Sequence, residues 1–216
     1  MRLVAVKQVV IQVDNVALQG ELTLPETATG LVLFAQVSGA SGHTSRNRLI
    51  ALMLNDVDIG TLLFDLLIPD EIVEPMRRFD IGLLCDRLRA ATKFVEELAR
   101  ERRLRLGYFG SGTGAAAAMR AAAAPPGCMR IDAVVSRSGR IDLAGHEALS
   151  ELTSPLLMIV GEADPFVLNL NVHAAARVTC KKRLEVIPGA TNRFEEPGAM
   201  ERVGKLAIGW FQDRFV

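Results

Sequence analysis

The sequence has no surplus of charge, no long apolar run and no pattern of paired cysteines. Lys plus Arg equals Asp plus Glu at 25 each, so no overall field draws the chain to nucleic acid or to an anionic membrane. No apolar run approaches the roughly 20 residues that a membrane helix needs. Met1 to Val13 alternates apolar and polar residues and lacks the apolar core and small-residue cleavage site of a signal peptide. Cys85, Cys128 and Cys180 stand far apart without CxxC spacing, and three cysteines cannot all pair within one chain. These absences point to a reducing cytoplasm. They leave a small molecule or another protein as the partner, with no nucleic acid and no membrane, a homodimer as one option, and no cofactor or metal expected.

What is present suits one compact domain spanning 1–216, since 216 residues, half of them apolar, can bury a sizeable core and two independent domains would be cramped. Gln8 to Asp14 and Ala17 to Leu24 alternate as strands do, and Asp14-Asn15 between them is a tight-turn signal, so they predict a hairpin. After Pro25 come short, predominantly apolar runs: Leu31 to Ala35, Thr61 to Leu67, Leu104 to Phe109, Ile131 to Val135, Leu156 to Val160 and Arg183 to Ile187. Such runs fit parallel strands covered by helices on both faces.

Helical spacing fills the gaps. From the N-cap candidate Asp80, a stripe runs through Ile81, Leu84, Cys85, Leu88, Ala91, Val95 and Leu98, while Arg87, Arg89, Lys93, Glu96, Glu97 and Arg100 are assigned to a solvated face. Further helices are expected at Ser45 to Asn55, Thr113 to Ala124, Leu168 to Val178 and Pro197 to Phe215. The alternation predicts an α/β fold, a mostly parallel doubly wound sheet with an antiparallel N-terminal hairpin and helices on both faces. Small side chains at Ala115 to Ala118 and Ala121 to Ala124 let one helix lie close against the sheet.

In an open α/β sheet, reactive groups gather where strands end, so the segments that follow strands carry the chemistry. Gly107-Tyr108-Phe109-Gly110-Ser111-Gly112-Thr113-Gly114 leads from a strand directly into the alanine-rich helix. A nucleophile elbow reads G-x-S-x-G, because small residues must flank a sharp turn that strains its central residue. Here the frame runs from Gly110 to Gly114 with Gly112 at its centre. Centring it on Ser111 would put Phe109 and Thr113 on flanks that need small residues.

Over nearly its whole length the chain resembles the dienelactone-hydrolase-like branch of the α/β-hydrolases. The matching stretches are Leu31 to Arg48, Asp80 to Leu98, Gly107 to Ala118, Val134 to Gly145 and Leu156 to Pro197. The resemblance implies a serine at the position of Gly112, an acid in a G-x-x-D segment and a base in a G-A-T-H-like segment. Gly161-Glu162-Ala163-Asp164 keeps the acid at Asp164, whereas Gly189-Ala190-Thr191-Asn192 puts Asn192 where the histidine is expected. After the first parallel strand, where relatives resemble H-G-S-G, this chain has Gln36-Val37-Ser38-Gly39.

Glycine offers no oxygen to attack a carbonyl, and a carboxamide does not accept and return a proton at neutral pH. Removing the nucleophile or base of such a triad costs about a million-fold in turnover, or about 8 kcal/mol of barrier. The residues therefore predict loss of serine-type acyl transfer. The Thr113 N–H at the start of a helix and an N–H from Val37 to Gly39 remain as donors for an oxygen. Such a pocket suits a ligand with a carbonyl or enolate oxygen, bound intact or converted by a cyclase or lyase step. Two other readings stand beside it: an active hydrolase of small esters or lactones using Ser111, Ser38 or His43, and a non-catalytic scaffold.

Each residue also has a plainer reading. Asp164 before Pro165 fits a helix N-cap with a first-turn proline. Gly112 relieves a strained turn, and Asn192 and Gln36 fit turns or caps. His43, in the loop Ser38 to Ser45 near the pocket mouth, is the histidine to test as a surrogate base; His146 and His173 are expected at the surface. Arg137, directly after a strand, suits either an anionic ligand or the Asp142 loop. No cysteine sits at the elbow.

Overall fold

The opening alternation closes into a hairpin in the computed structural model, which describes residues 5–37, 45–123 and 128–216. Strands β1 (Val6–Val13) and β2 (Val16–Thr23) pair antiparallel and bury Val9, Ile11, Leu18 and Leu22 on one face, as a period of two requires. The chain turns at Asp14, whose φ of 48° is one that Asp tolerates better than most side chains.

All six later apolar runs enter the same sheet: β3 (Gly30–Gln36), β4 (Ile59–Asp65), β5 (Arg105–Ser111), β6 (Ala133–Arg137), β7 (Leu156–Gly161) and β8 (Lys182–Ile187). The order is β1-β2-β4-β3-β5-β6-β7-β8; β2 meets β4 antiparallel, and every pair from β4 to β8 is parallel. The expected α/β sheet is the observed one. Its strand bounds shift by up to two residues, for local reasons. β6 starts at Ala133 rather than Ile131: the Asp132 N–H donates to Leu106 O at 2.7 Å, and its carboxylate accepts the Leu106 N–H at 3.0 Å, so a side chain replaces a ladder partner there.

Seven helices are described: α1 (Ser45–Asn55), α2 (Pro69–Ile72), α3 (Ile81–Glu101), α4 (Thr113–Ala122), α5 (His146–Glu151), α6 (Pro165–Ala175) and α7 (Ala199–Gln212). One core lies between the sheet and α3, α4 and α5, the other between the sheet and α1 and α7. Ala115 to Ala118 are fully buried, so α4 packs closely against the sheet and α3. Two aspartates open helices as expected: Asp80 accepts the Leu83 N–H at 3.0 Å for α3, and Asp164 accepts the Val167 N–H at 3.1 Å for α6. Among the described residues no helix is long and apolar enough to cross a membrane.

Arg87 corrects the expectation of a uniformly solvated face on α3. It is 4% exposed; its guanidinium donates to Leu66 O at 2.7 Å and pairs with both oxygens of Glu71, one of them at 2.5 Å. Glu71 comes from α2, a single turn opened by Pro69 that apolar periodicity did not announce. The Arg87 hydrogen bond holds the Glu71 carboxyl below the usual carboxylate range, against the opposing pull of burial.

Candidate ligand site

The chain leaves β3 between its two parallel neighbours β4 and β5, so the crevice at the carboxyl ends of β3 and β5 is a topological switch point. Gln36 and Val37 leave β3 there, and Ser111, Gly112 and Thr113 leave β5. Gly112 has φ 55° and ψ −128°, a region that a side chain enters only with strain. A Cβ on Gly110 would lie 2.5 Å from Ala115 Cα, and one on Gly114 would lie 2.1 Å from Ala35 O. A Cβ on Gly112 would meet nothing within 4 Å. The turn therefore takes the frame Gly110 to Gly114, with glycine where there is no room and an open direction at its centre. Gly112 O accepts from the N–H groups of Ala115 at 3.2 Å and Arg140 at 2.9 Å, which fixes the turn against the segment after β6.

A cavity of about 340 Å³ opens at this turn. Ser111, Gly112 and Thr113 line it from β5 and α4, Gln36 and Val37 from β3, and Asn192 from the turn after β8. Asn192 is exposed. Asp164, at the end of β7, lies outside this lining and is occupied in capping α6. The two turns are joined all the same: Ala163 N–H donates to Ala190 O at 2.9 Å and Glu162 N–H to Ile187 O at 3.0 Å. Gln36 is buried and tied down, its Nε2 donating to Asp65 Oδ1 at 3.0 Å and its Oε1 accepting from Asn47 Nδ2. Ser38, Gly39 and His43 fall outside the described residues, so Val37 alone represents that loop. His146 and His173 are exposed, as expected.

Arg137 does not hold the Asp142 loop; Arg140 does, donating to the Asp142 carboxylate at 2.8 and 2.9 Å. Arg137 instead ends β6, is 7% exposed and lines the cavity. Burial, reinforced by the charge of Arg46, pushes its guanidinium down to about 10. Its one described polar contact is Nη1 to Met200 Sδ at 3.9 Å, and its Nε is buried without a partner among the described residues.

Five lining residues escaped the sequence reading. Arg46 and Asn47 come from the first turn of α1, Arg78 and Phe79 from a 3-10 turn (Pro75–Phe79), and Ser138 from the turn after β6. All follow strands at the carboxyl edge, so the rule that found Gly112 also covers them. What they lack is a motif. Ser138 holds φ 41°, unusual for a residue with a side chain, and its hydroxyl is buried with no partner among the described residues. No cluster of three or more His, Cys, Asp or Glu that could hold a metal occurs among the described residues.

No protein-family model matches the chain. The crystal structure of a dienelactone hydrolase from Anabaena variabilis is similar to it at 43% identity over 98% of each chain, with a TM-score of 0.89. Est1E from Butyrivibrio proteoclasticus, 16% identical over 96% of this chain and 98% of its own with a TM-score of 0.76, shares the fold. Among curated proteins, one from each of two Mycobacterium tuberculosis strains, both named "Putative phosphoribosyl transferase", is 46% identical over 207 residues. That match takes in 96% of this chain and 46% of theirs, so the chain spans about half the length of these curated relatives.

Proposed function

The chain belongs to the dienelactone hydrolase family of α/β-hydrolases, and we propose that within it this protein has exchanged serine hydrolysis for binding, or non-hydrolytic conversion, of a small molecule with a carbonyl or enolate oxygen. One observation carries the reading. The residue at the centre of the strand-to-helix turn is Gly112, and the direction in which its side chain would project is open cavity. A nucleophile there would need an oxygen that glycine lacks.

Asn192, on the lining of the same cavity, has a carboxamide in place of the imidazole that would move the proton. Asp164, the residue in the acid position, uses one carboxylate oxygen to cap the α6 N-terminus. Neither Ser111 nor Ser138 is hydrogen-bonded to an imidazole or carboxylate among the described residues, so neither serine is activated there. The first turn of α4, whose glycine cap provides no side-chain acceptor, and the Val37 segment line the cavity and supply backbone donors for an oxygen. Donors without a nucleophile favour holding a polarised oxygen intact, and a cyclisation or elimination that needs no acyl intermediate. The transferase name of the curated relatives belongs to chains about twice this length, and the reading does not depend on it.

The test is reconstruction. Gly112→Ser and Asn192→His, singly and together, are assayed on small esters and lactones beside the unaltered chain. Turnover is expected in the double variant alone; turnover by the unaltered chain would sink the proposal.

A further inference from the structure

Arg137 is a buried cation without a countercharge. No Asp or Glu pairs with it among the described residues, and the stretches 1–4, 38–44 and 124–127 contain no acidic residue at all. An uncompensated buried charge is costly, which is why such groups are normally paired. This one is retained where it lines a cavity.

The same cavity receives the N-terminus of α4, a ten-residue helix whose cap residue, Gly112, has no side chain to accept its first N–H groups. The buried Ser138 hydroxyl is a third unanswered polar group on the lining. Two more arginines stand there. Arg46 is answered by Glu195 at 3.0 Å, whereas among the described residues Arg78 makes no ion pair and none that lines the cavity is acidic. We propose that this cavity takes a phosphoryl group, with Arg137 and Ser138 holding its oxygens from β6 and the first turn of α4 holding them from the other side.

A carboxylate brings one charge and two oxygens. A phosphoryl group brings nearly two charges and three strong acceptors, which matches two uncompensated guanidiniums, a hydroxyl and a helix end. Gly112 leaves the space above the helix end open, so the inference rests on the reading that no nucleophile occupies it. The volume, about 340 Å³, leaves room for a small organic remainder.

The experiment is calorimetric titration of the whole chain, in buffer free of phosphate and sulfate at about pH 8, with inorganic phosphate, phenyl phosphate and benzoate. Phosphate and phenyl phosphate are expected to bind, and benzoate at least about tenfold more weakly. Tighter phenyl phosphate than phosphate identifies a phosphomonoester as the source; equal affinity identifies free phosphate. Arg137→Met is expected to weaken both by about tenfold or more while the ligand-free variant melts no lower than the parent. Ser138→Ala, which keeps the charge, is expected to weaken both several-fold and serves should the first variant fail to fold. Benzoate matching phenyl phosphate, no phosphate binding by the parent chain, or binding indifferent to both substitutions would overturn the assignment. Ester turnover by the unaltered chain would instead remove the non-hydrolytic reading and leave these affinities standing.

Discussion

Arg87 and Arg137 are equally buried, at 4% and 7% exposed, and differ in everything that surrounds them. Arg87 is paired: a backbone carbonyl and both oxygens of Glu71 accept from its two terminal nitrogens, and the pair fastens α2 to α3. Arg137 has a distant sulfur and an unanswered Nε, beside a cavity and the start of a helix. The first arrangement completes a core. The second is incomplete, and an incomplete buried charge facing a cavity is what a site awaiting an anion looks like in physical chemistry.

The sharpest way to break this contrast is to remove each arginine in turn. Arg87→Met should cost the most, about 3 kcal/mol in denaturant unfolding, because it strands the partly buried Glu71 carboxylate. Arg137→Met should go the other way in the absence of ligand, raising unfolding free energy by on the order of 1 kcal/mol, since it strands nothing. A loss of stability there would mean that Arg137 has a partner and that the contrast fails.

Acid titration gives a smaller effect. The Glu71 carboxyl is lowered in the folded chain, so its contribution is fully present above the ordinary value of about 4.3 and is lost as the pH falls through the folded value. Arg87→Met should flatten that acid limb of the stability curve, and an unchanged limb would detach Glu71 from Arg87.

The strands were legible because a parallel sheet covered on both faces writes itself as short, mostly apolar runs, and all six such runs after Pro25 became strands, with β8 at the sheet edge the least buried. The caps at Asp80 and Asp164 were legible because a helix start needs an acceptor. The partner of Arg87 was not, since α2 is one turn between prolines and has no period to detect. At the site, the Gly110 to Gly114 frame could be read from the small flanks that the turn demands, and the clashes at Gly110 and Gly114 give the reason. Ser138, Arg78 and Phe79 could not, because they come together only through the sheet order. Asp164 shows the limit from the other side: its carboxylate is in place for a cap and lies off the cavity lining.

The central claim is that no side chain of this protein is acylated or phosphonylated in the manner of a serine hydrolase. Intact-mass spectrometry after incubation with a fluorophosphonate tests it most directly. The unmodified mass is predicted to persist at a probe excess that fully labels the Gly112→Ser, Asn192→His variant. A stoichiometric adduct on a single serine of the unaltered chain would contradict it.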